Sequence, residues 1–140
     1  SCCAIAALTS NTIYDNLVLI GLGICLWLIG FLIEIISDFQ KRQFRKNTSN
    51  GFISSGLWAY SRHPNYLGEI ILWLGICLIS IPTLNGFQYV TIISPIFVYL
   101  LLSKGTGINI LEEYAEKKWG DLDEYKQYKK NTPILFPFKK

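Results

Sequence analysis

Two long stretches without a charged residue constrain the fold of this chain most strongly. Residues 16–33 form a run of 18 such residues, and residues 70–103 form a run of 34. A helix needs about 20 mostly apolar residues to cross the hydrocarbon core of a bilayer. The composition agrees, because 16% of the residues are charged, against about 25% in soluble domains. The sequence therefore predicts an all-α integral membrane protein.

The apolar stretches divide into about three spanning helices. The first is predicted over residues 17–36. A hairpin follows, in which Pro64 fits the first position of a helix and residues 64–81 are just long enough to span. Residues 89–102 return across the bilayer, with a kink expected at Pro95. We therefore expect an integral membrane helical bundle.

Basic residues predict the orientation of these helices. They cluster before the hairpin, within residues 41–62, and follow it at Lys104, whereas the connection at its far end is uncharged. By the positive-inside rule, residues 37–63 and the chain after residue 103 face the cytoplasm. Residues 110–119 have the pattern of an amphipathic helix, so a cytoplasmic amphipathic C-terminal tail is expected.

Other classes of site find little support in the sequence. The four cysteines show no CxxC or Cys/His spacing typical of a metal site. The net charge of +3 is too small and too scattered to indicate nucleic-acid binding. The chain starts at Ser1 and contains no methionine, so we expect that an N-terminal portion of the protein precedes it.

The segment that indicates chemistry is GLWAYSRHPNYLGEIILWLG, residues 56–75. Arg62 and His63 precede the first turn of the helix, and a helix N-terminus beside an arginine suits a phosphate or carboxylate. Tyr66 and Glu69 share one face of that helix. A carboxylate two turns into an apolar membrane helix needs a partner, such as a hydroxyl, amide or amine of a ligand. Alternatively, Arg62 is an ordinary interfacial arginine, His63 caps the helix and Tyr66 belongs to an interfacial belt of aromatic residues. This alternative explains Glu69 least well.

A second group lies at the end of the first helix. Its members are spaced by 4, 4 and 3 residues: Glu34, Asp38, Arg42 and Arg45. They share one helical face if the helix continues beyond the membrane. The spacing alone favours ordinary ion pairing of Asp38 with Arg42, although Glu34 lies within the apolar run. The tail adds Glu112 and two tyrosines that share a face, Tyr125 and Tyr128. Either tyrosine could cover a ligand or pack on the bilayer surface, and the alternating charges of the tail are typical of a solvated face.

Four spaced motifs resemble those of the steroid 5-alpha-reductase-like membrane proteins, in particular the subgroup called DUF1295. They are the SRHPNYLGE segment, an ExxxDxQKxxF stretch at residues 34–44, a counterpart of an SGxxxLE segment at residues 106–112, and the closing block WGDLDEYKQYKKNTPILFPF. The resemblance implies that residues 1–140 are the C-terminal cofactor-binding part of such a domain, with the N-terminal helices missing. It also implies NADPH-dependent reduction of a C=C bond in a lipophilic steroid, sterol or fatty-type substrate.

The resemblance implies particular cofactor contacts. In steroid 5-alpha-reductases a polar residue, an Asp and two Args on one helix contact the nucleotide, and these positions correspond to Glu34, Asp38, Arg42 and Arg45. The Asn and Glu of a GANFLGE segment correspond to Asn65 and Glu69, and a tail tyrosine corresponds to Tyr128. The catalytic residues of these reductases lie in N-terminal helices, so none is identified in this chain.

The Arg-His-Pro triplet at residues 62–64 departs from the steroid enzymes. Sterol C14-reductases and isoprenylcysteine carboxyl methyltransferases have it, and the methyltransferases use it with a tail glutamate to bind S-adenosylmethionine. The residues that would fit that role are Arg62, His63, Tyr66 and Glu112. We favour NADPH, because its pyrophosphate and 2′-phosphate need cationic partners, which Arg42, Arg45 and Arg62 supply. An S-adenosylmethionine-dependent methyltransferase and a non-catalytic membrane adaptor are the alternatives.

The expected partners are a lipophilic small-molecule substrate and the lipid bilayer. The predicted cofactor-binding residues are Glu34, Asp38, Arg42, Arg45, Arg62, His63, Asn65, Tyr66, Glu69, Glu112 and Tyr128. A multi-pass protein of this kind is expected in the endoplasmic reticulum if it is eukaryotic and in the inner membrane if it is bacterial.

Overall fold

The computed structural model describes residues 13–104 and 107–138. Five α-helices occur within them: α1 (Ile13–Asn47), α2 (Pro64–Ser80), α3 (Ile93–Lys104), α4 (Ile108–Trp119) and α5 (Asp123–Asn131). The connections contain three 3-10 helices: Gly56–Ala59, Ile81–Thr83 and Gly86–Ile92. No strand occurs in these two ranges, and the predicted all-α class is confirmed.

Three segments are long and apolar enough to span a membrane: Asn16–Asn47, Pro64–Thr83 and Gly86–Trp119. This confirms the expected number of spanning helices. Large apolar side chains on these segments remain exposed, among them Val18 at 63% and Phe97 at 61%. Such surfaces are expected where lipid rather than protein covers a helix, because lipid chains are as apolar as the side chains they meet.

The first helix was predicted to end near residue 36. Helix α1 instead continues well beyond the apolar run and reaches Asn47. Arg45 and Lys46 occupy its last turn, where positive charge complements the negative end of the helix dipole. Glu34 and Arg45 therefore lie on one continuous helix, which is the condition under which the group spaced by 4, 4 and 3 residues shares a face.

Helices α1 and α2 pack through glycines. A Cβ atom at Gly30 would lie 2.4 Å from a backbone atom of α2, and one at Gly75 would lie 2.5 Å from a backbone atom of α1. At Gly23 and Gly68 the nearest atom of the other helix would be 2.7 Å away. Small residues allow the backbones of membrane helices to approach this closely. The glycines thus set the separation of the two helices.

The return crossing differs from its prediction. A helix over residues 89–102 kinked at Pro95 was expected, whereas the chain forms the 3-10 helix Gly86–Ile92 and then α3 (Ile93–Lys104). Pro95 therefore lies in the first turn of α3, where its missing N–H removes no intrahelical hydrogen bond. The helix changes from 3-10 to α geometry at Ile93, two residues before Pro95, and the kink itself stays a prediction.

A small apolar core lies at the basic end of the bundle. Leu67 and Ile70 of α2 pack with Ile108 at the start of α4 and with Leu135 near the end of the chain. All four side chains are at most 9% exposed. The C-terminal tail is thereby fixed against the first turns of α2, next to the Arg-His-Pro triplet.

Candidate functional site

The connection between α1 and α2 is bound to α1 by one buried and one partly buried hydrogen bond. The indole N–H of Trp58 donates to the carbonyl of Ser37 at 3.1 Å, and the Trp58 side chain is 5% exposed. The amide of Leu57 donates to the Gln40 side-chain oxygen at 3.0 Å. Because buried polar groups are stable only when they are paired, these contacts give the connection a defined position beside α1.

The C-terminal segment is bound to the start of α2. The amides of Arg62 and His63 donate to the carbonyls of residues 133 and 134 at 2.9 and 3.2 Å. The Tyr128 hydroxyl donates to the carbonyl of Trp58 at 2.6 Å, across a separation of 70 residues. These bonds bring α5 and the segment after it against the Arg-His-Pro triplet.

Glu112 of α4 pairs with both residues that precede α2. One carboxylate oxygen contacts Nη1 of Arg62, and the other lies 2.7 Å from Nε2 of His63. The side chains of Arg62 and His63 are each 9% exposed, and that of Glu112 is 20% exposed. Charges that leave water to this degree require such partners. The pairing therefore fixes α4 against the start of α2.

These contacts surround a pocket of about 170 Å³ between the end of α1 and the tail. Three cationic side chains, Lys41, Arg45 and Arg62, line it together with one carboxylate, that of Glu112. The excess of positive charge favours an anionic ligand. The other lining residues are Phe44, Gly51, Phe52, Ile53, Trp58, His63, Leu111, Tyr114, Ala115, Trp119, Tyr125 and Tyr128.

Aromatic rings form much of the pocket wall. The ring centroid of Phe52 lies 5.1 to 6.0 Å from the centroids of three other rings, those of Trp119, Tyr125 and Tyr128. The Lys41 ammonium lies 5.1 Å from the ring centroid of Trp58, within the range of a cation–π contact. Aromatic faces beside cations suit a ligand in which a planar ring is joined to phosphate, since the ring can stack while the phosphate pairs with the cations.

A second polar cluster lies between α1 and α2. The Glu34 carboxylate interacts electrostatically with Asp38 on its own helix and with Glu69 on α2, and Tyr66 interacts with the same two neighbours. None of the three carboxylates forms an ion pair with a described residue. Next to Tyr66, the amide oxygen of Asn65 is buried without a hydrogen-bond partner in the described chain. The cluster thus suits a ligand that donates hydrogen bonds, such as a hydroxyl or amide group.

The residues predicted for the site fall into two groups. The pocket contains Arg45, Arg62, His63, Glu112 and Tyr128. The cluster between the helices contains Glu34, Asp38, Tyr66 and Glu69, and Asn65 precedes Tyr66 in the chain with its amide oxygen buried. The stacked rings of His63 and Tyr66, with centroids 5.8 Å apart, join the two groups. Arg42 belongs to neither, because its side chain is exposed and does not line the pocket.

Tyr125, which is buried, and Tyr128, which is partly buried, keep their protons at neutral pH. Burial raises the pKa of the Tyr128 phenol, against the opposing effect of the nearby Arg62 guanidinium. Burial also raises the pKa of Tyr125, and the Glu112 carboxylate adds to that effect. The Tyr128 hydroxyl therefore remains a hydrogen-bond donor to the connection between α1 and α2.

Sequence reasoning missed the part of the aromatic wall formed by Phe52, Trp58 and Trp119. Phe52 and Trp119 lie 6.0 Å apart between ring centroids, yet one belongs to the connection after α1 and the other to the end of α4. No local spacing links them. The available signal is the presence of large aromatic residues in otherwise polar segments, where burial against another element is the expected reason for them.

The profile of the family described as protein of unknown function (DUF1295) matches residues 2–132. The chain belongs to this family. The resemblance to steroid 5-alpha-reductase-like proteins is thereby confirmed.

Curated relatives of this DUF1295 chain are longer than it is. The 3-oxo-5-alpha-steroid 4-dehydrogenase 1 of Homo sapiens is 34% identical over 138 residues, 97% of this chain and 46% of the relative. The probable 7-dehydrocholesterol reductase of Acanthamoeba polyphaga mimivirus is 31% identical over 146 residues, 90% of this chain and 29% of the relative. The Delta(14)-sterol reductase LBR of Gallus gallus is 36% identical over 61 residues, 33% of this chain and 10% of the relative.

The DUF1295 chain thus spans less than half the length of each of these relatives. No solved structure matches it at a significant level.

Proposed function

We propose that this chain forms the cofactor-binding part of a membrane-embedded NADPH-dependent reductase, which reduces a C=C bond of a lipophilic steroid, sterol or fatty-type substrate. The proposal depends on one observation above all, the pocket in which three cations, one carboxylate and a wall of aromatic rings meet. The names of the steroid and sterol relatives support an activity on lipids.

The lining residues fit a ligand with several phosphates. Lys41, Arg45 and Arg62 outnumber the single carboxylate in the pocket. The Nε of Arg62 is buried and has no hydrogen-bond partner within the described residues, so this guanidinium retains a donor for a phosphate oxygen. Charge-assisted bonds from arginine to phosphate are about twice as strong as neutral ones.

The remaining parts of a dinucleotide also have counterparts. The partly exposed ring of Trp119 lines the pocket and offers a face on which a base can stack. The cluster of Glu34, Asp38 and Glu69 offers acceptors for ribose hydroxyls or a carboxamide. NADPH would supply a hydride when bound, and the residues of this chain would bind and orient it.

Binding of NADPH to the purified full-length protein tests the proposal. We expect Arg45→Ala to weaken binding about tenfold or more, because a hydrogen bond to a charged group contributes about 1.5–3 kcal/mol. Added salt should also weaken binding. Lys46→Ala is the matched control, since Lys46 is exposed and does not line the pocket. Equal affinity of the Arg45→Ala and wild-type proteins would contradict the proposal.

The Arg42→Ala variant tests whether the family resemblance or the position of Arg42 in the structure better predicts its role in binding. The resemblance implies a loss of affinity similar to that of Arg45→Ala, because both arginines fall at the matching spacing. The exposed position of Arg42 outside the pocket implies a much smaller loss. The ratio of the two affinities, measured under the same conditions, decides which of these is correct.

Methyl transfer from S-adenosylmethionine is the second candidate. A sulfonium cation favours carboxylates and aromatic faces, and Glu112 lies among aromatic rings in the pocket. Saturable binding of S-adenosylmethionine that is insensitive to Arg45→Ala, with no binding of NADPH, would replace the reductase proposal. Binding of neither molecule would favour a membrane adaptor.

A further inference from the structure

A second, larger groove opens between the end of α3 and the C-terminal segment. Its volume is about 1220 Å³, and it shares one lining residue, Arg62, with the candidate cofactor pocket. Ser103 and Lys104 of α3 form one side, and residues 129–136 form much of the other. The groove therefore lies at the basic last turn of α3, within a segment that is long and apolar enough to span a membrane.

The charges around this groove have one sign. Four cations line it, Arg62, Lys104, Lys129 and Lys130, and the lining residues that the structure describes include no carboxylate. Carboxylates of α4 pair with Arg62 and with Lys129. Lys104 and Lys130 form no ion pair with any described residue. Two lysines thus remain for an anion from outside the chain.

The C-terminal side of the groove also carries exposed aromatic rings. The Phe136 ring lies 6.2 Å from that of Tyr99 on α3 and 6.3 Å from that of Phe138, between centroids. Phe138 is 77% exposed. On α3 itself, Leu100 and Leu101 are 43% and 50% exposed. The groove therefore places lysine ammonium groups beside an apolar surface of a membrane-spanning segment.

We propose that this groove binds an anionic phospholipid, with Lys104 and Lys130 at the phosphate and the side formed by Phe136 and Phe138 along the acyl chains. A phosphate joined to apolar chains combines the two chemistries that the groove presents side by side. A free phosphate would pair with the lysines but leave the exposed aromatic wall uncovered. Anionic lipids attract basic residues at the predicted cytoplasmic side of a membrane.

Lipid retention by the full-length protein tests this site. The protein is reconstituted with equal amounts of phosphatidylglycerol and phosphatidylcholine, extracted in detergent, and analysed by native mass spectrometry for bound lipid. We expect phosphatidylglycerol to be enriched. Lys104→Gln and Lys130→Gln should each lower that enrichment about fivefold, the effect of one lysine near an anionic lipid surface. Lys117→Gln is the matched control, because Lys117 is exposed and lies outside the groove.

A double substitution, Phe136→Ser with Phe138→Ser, distinguishes a lipid from a free phosphate. We expect it to lower phosphatidylglycerol retention, because the acyl chains lose their apolar contact. Unchanged retention in this variant, with displacement of the lipid by inorganic phosphate in the wild type, would overturn the proposal in favour of a phosphate site. Equal retention of both lipids, or an equal loss in Lys117→Gln, would overturn it as well.

NADPH binding to the same variants keeps the two proposals apart. Lys104 and Lys130 do not line the cofactor pocket, so their substitution should leave NADPH affinity unchanged. Failure of the lipid proposal would therefore appear in the mass spectra alone, and failure of the reductase proposal in the NADPH measurement alone.

Discussion

Different contacts stabilise two regions of the molecule. One region is the pair of helices α1 and α2, and the other is the polar cap at the basic end of that pair, formed by residues 48–63 and 107–138. In the pair, glycines bring the two backbones together. In the cap, buried or partly buried side chains donate hydrogen bonds to carbonyls distant in sequence, as Trp58 and Tyr128 do. Lipid provides no hydrophobic driving force between helices, so close packing must hold them, whereas a cap in water must pair each polar group that it buries. The candidate pocket lies where the two regions meet and depends on both.

The largest effect is expected from closing the gap between the paired helices. Gly30→Ala would place a Cβ 2.4 Å from the backbone nitrogen of Leu72, and we expect a loss of about 3 kcal/mol in the free energy of unfolding, at the upper end for overpacking. Gly21→Ala is the matched control, because no atom lies within 4 Å of its added Cβ. Thermal unfolding of the full-length protein in detergent measures both, and equal melting temperatures would contradict packing through glycine.

The next largest effect is expected within the cap. Glu112→Ala removes the carboxylate partner of Arg62, whose side chain is 9% exposed. Removing one partner of a fully buried pair costs about 3–5 kcal/mol, and because Glu112 is 20% exposed we expect about 2 kcal/mol. Glu113→Ala serves as control, since Glu113 is exposed and forms no ion pair with a described residue. If both variants unfold at the same temperature, Glu112 does not hold the cap.

A smaller effect is expected for a single hydroxyl group. Tyr128→Phe deletes the donor to the Trp58 carbonyl, and the loss of one such bond should lower the unfolding free energy by about 1 kcal/mol. The Tyr60→Phe variant controls for the change of residue type, because Tyr60 is 68% exposed. A Tyr128→Phe protein as stable as the wild type would show that the tail does not need this bond.

The burial of Tyr128 predicts that the stability of the protein falls at alkaline pH. Burial raises the pKa of Tyr128 above its ordinary value of 10.0, so the folded state favours the neutral phenol. The stability linked to this proton is complete below about pH 10 and is lost as the pH rises further. Unfolding measured at increasing pH should therefore show a steeper loss for the wild type than for Tyr128→Phe. Parallel curves would contradict the burial of the phenol.

The smallest effect is expected at the surface of the cap. Lys129 contacts Glu116 at 2.6 Å, with both side chains largely in solvent at 43% and 51% exposure. Exposed pairs of this kind contribute about 0.2–1 kcal/mol, so Lys129→Gln should lower stability by about 0.5 kcal/mol or less, and salt should reduce the difference. Lys117→Gln provides the comparison. A loss as large as that of Tyr128→Phe would remove the distinction between buried and exposed contacts in the cap.

The fold could be predicted to a large extent from the distribution of charge. The crossings follow from long uncharged runs, since a bilayer requires them. The full length of α1 could not be predicted in this way. The apolar residues stop before the helix does, and the backbone remains helical to Asn47. The glycines could have been noticed, as Gly23 and Gly30 are seven residues apart and so are Gly68 and Gly75. Their contact across two helices requires the structure.

The candidate site was predictable only where its residues share one element. Tyr66 and Glu69 were placed together by helical spacing, and they interact electrostatically. The pocket instead joins residues that are far apart, such as His63 and Glu112, separated by 49 positions. No local pattern reports such contacts, and Glu112 entered the prediction through the family resemblance. The roles of these residues in cofactor binding remain predictions that the variants above test.

The hydrogen bonds from the amides of Arg62 and His63 to residues 133 and 134 have a consequence for biosynthesis. Because a ribosome makes a chain from its N-terminus, α1 and α2 can enter the bilayer before these acceptors exist. The pocket then still lacks α4, α5 and the segment that joins them to the triplet. During translation the protein is thus a membrane-inserted precursor in which the candidate pocket is incomplete, and the synthesis of residues 107–134 supplies its remaining wall and the acceptors that hold it.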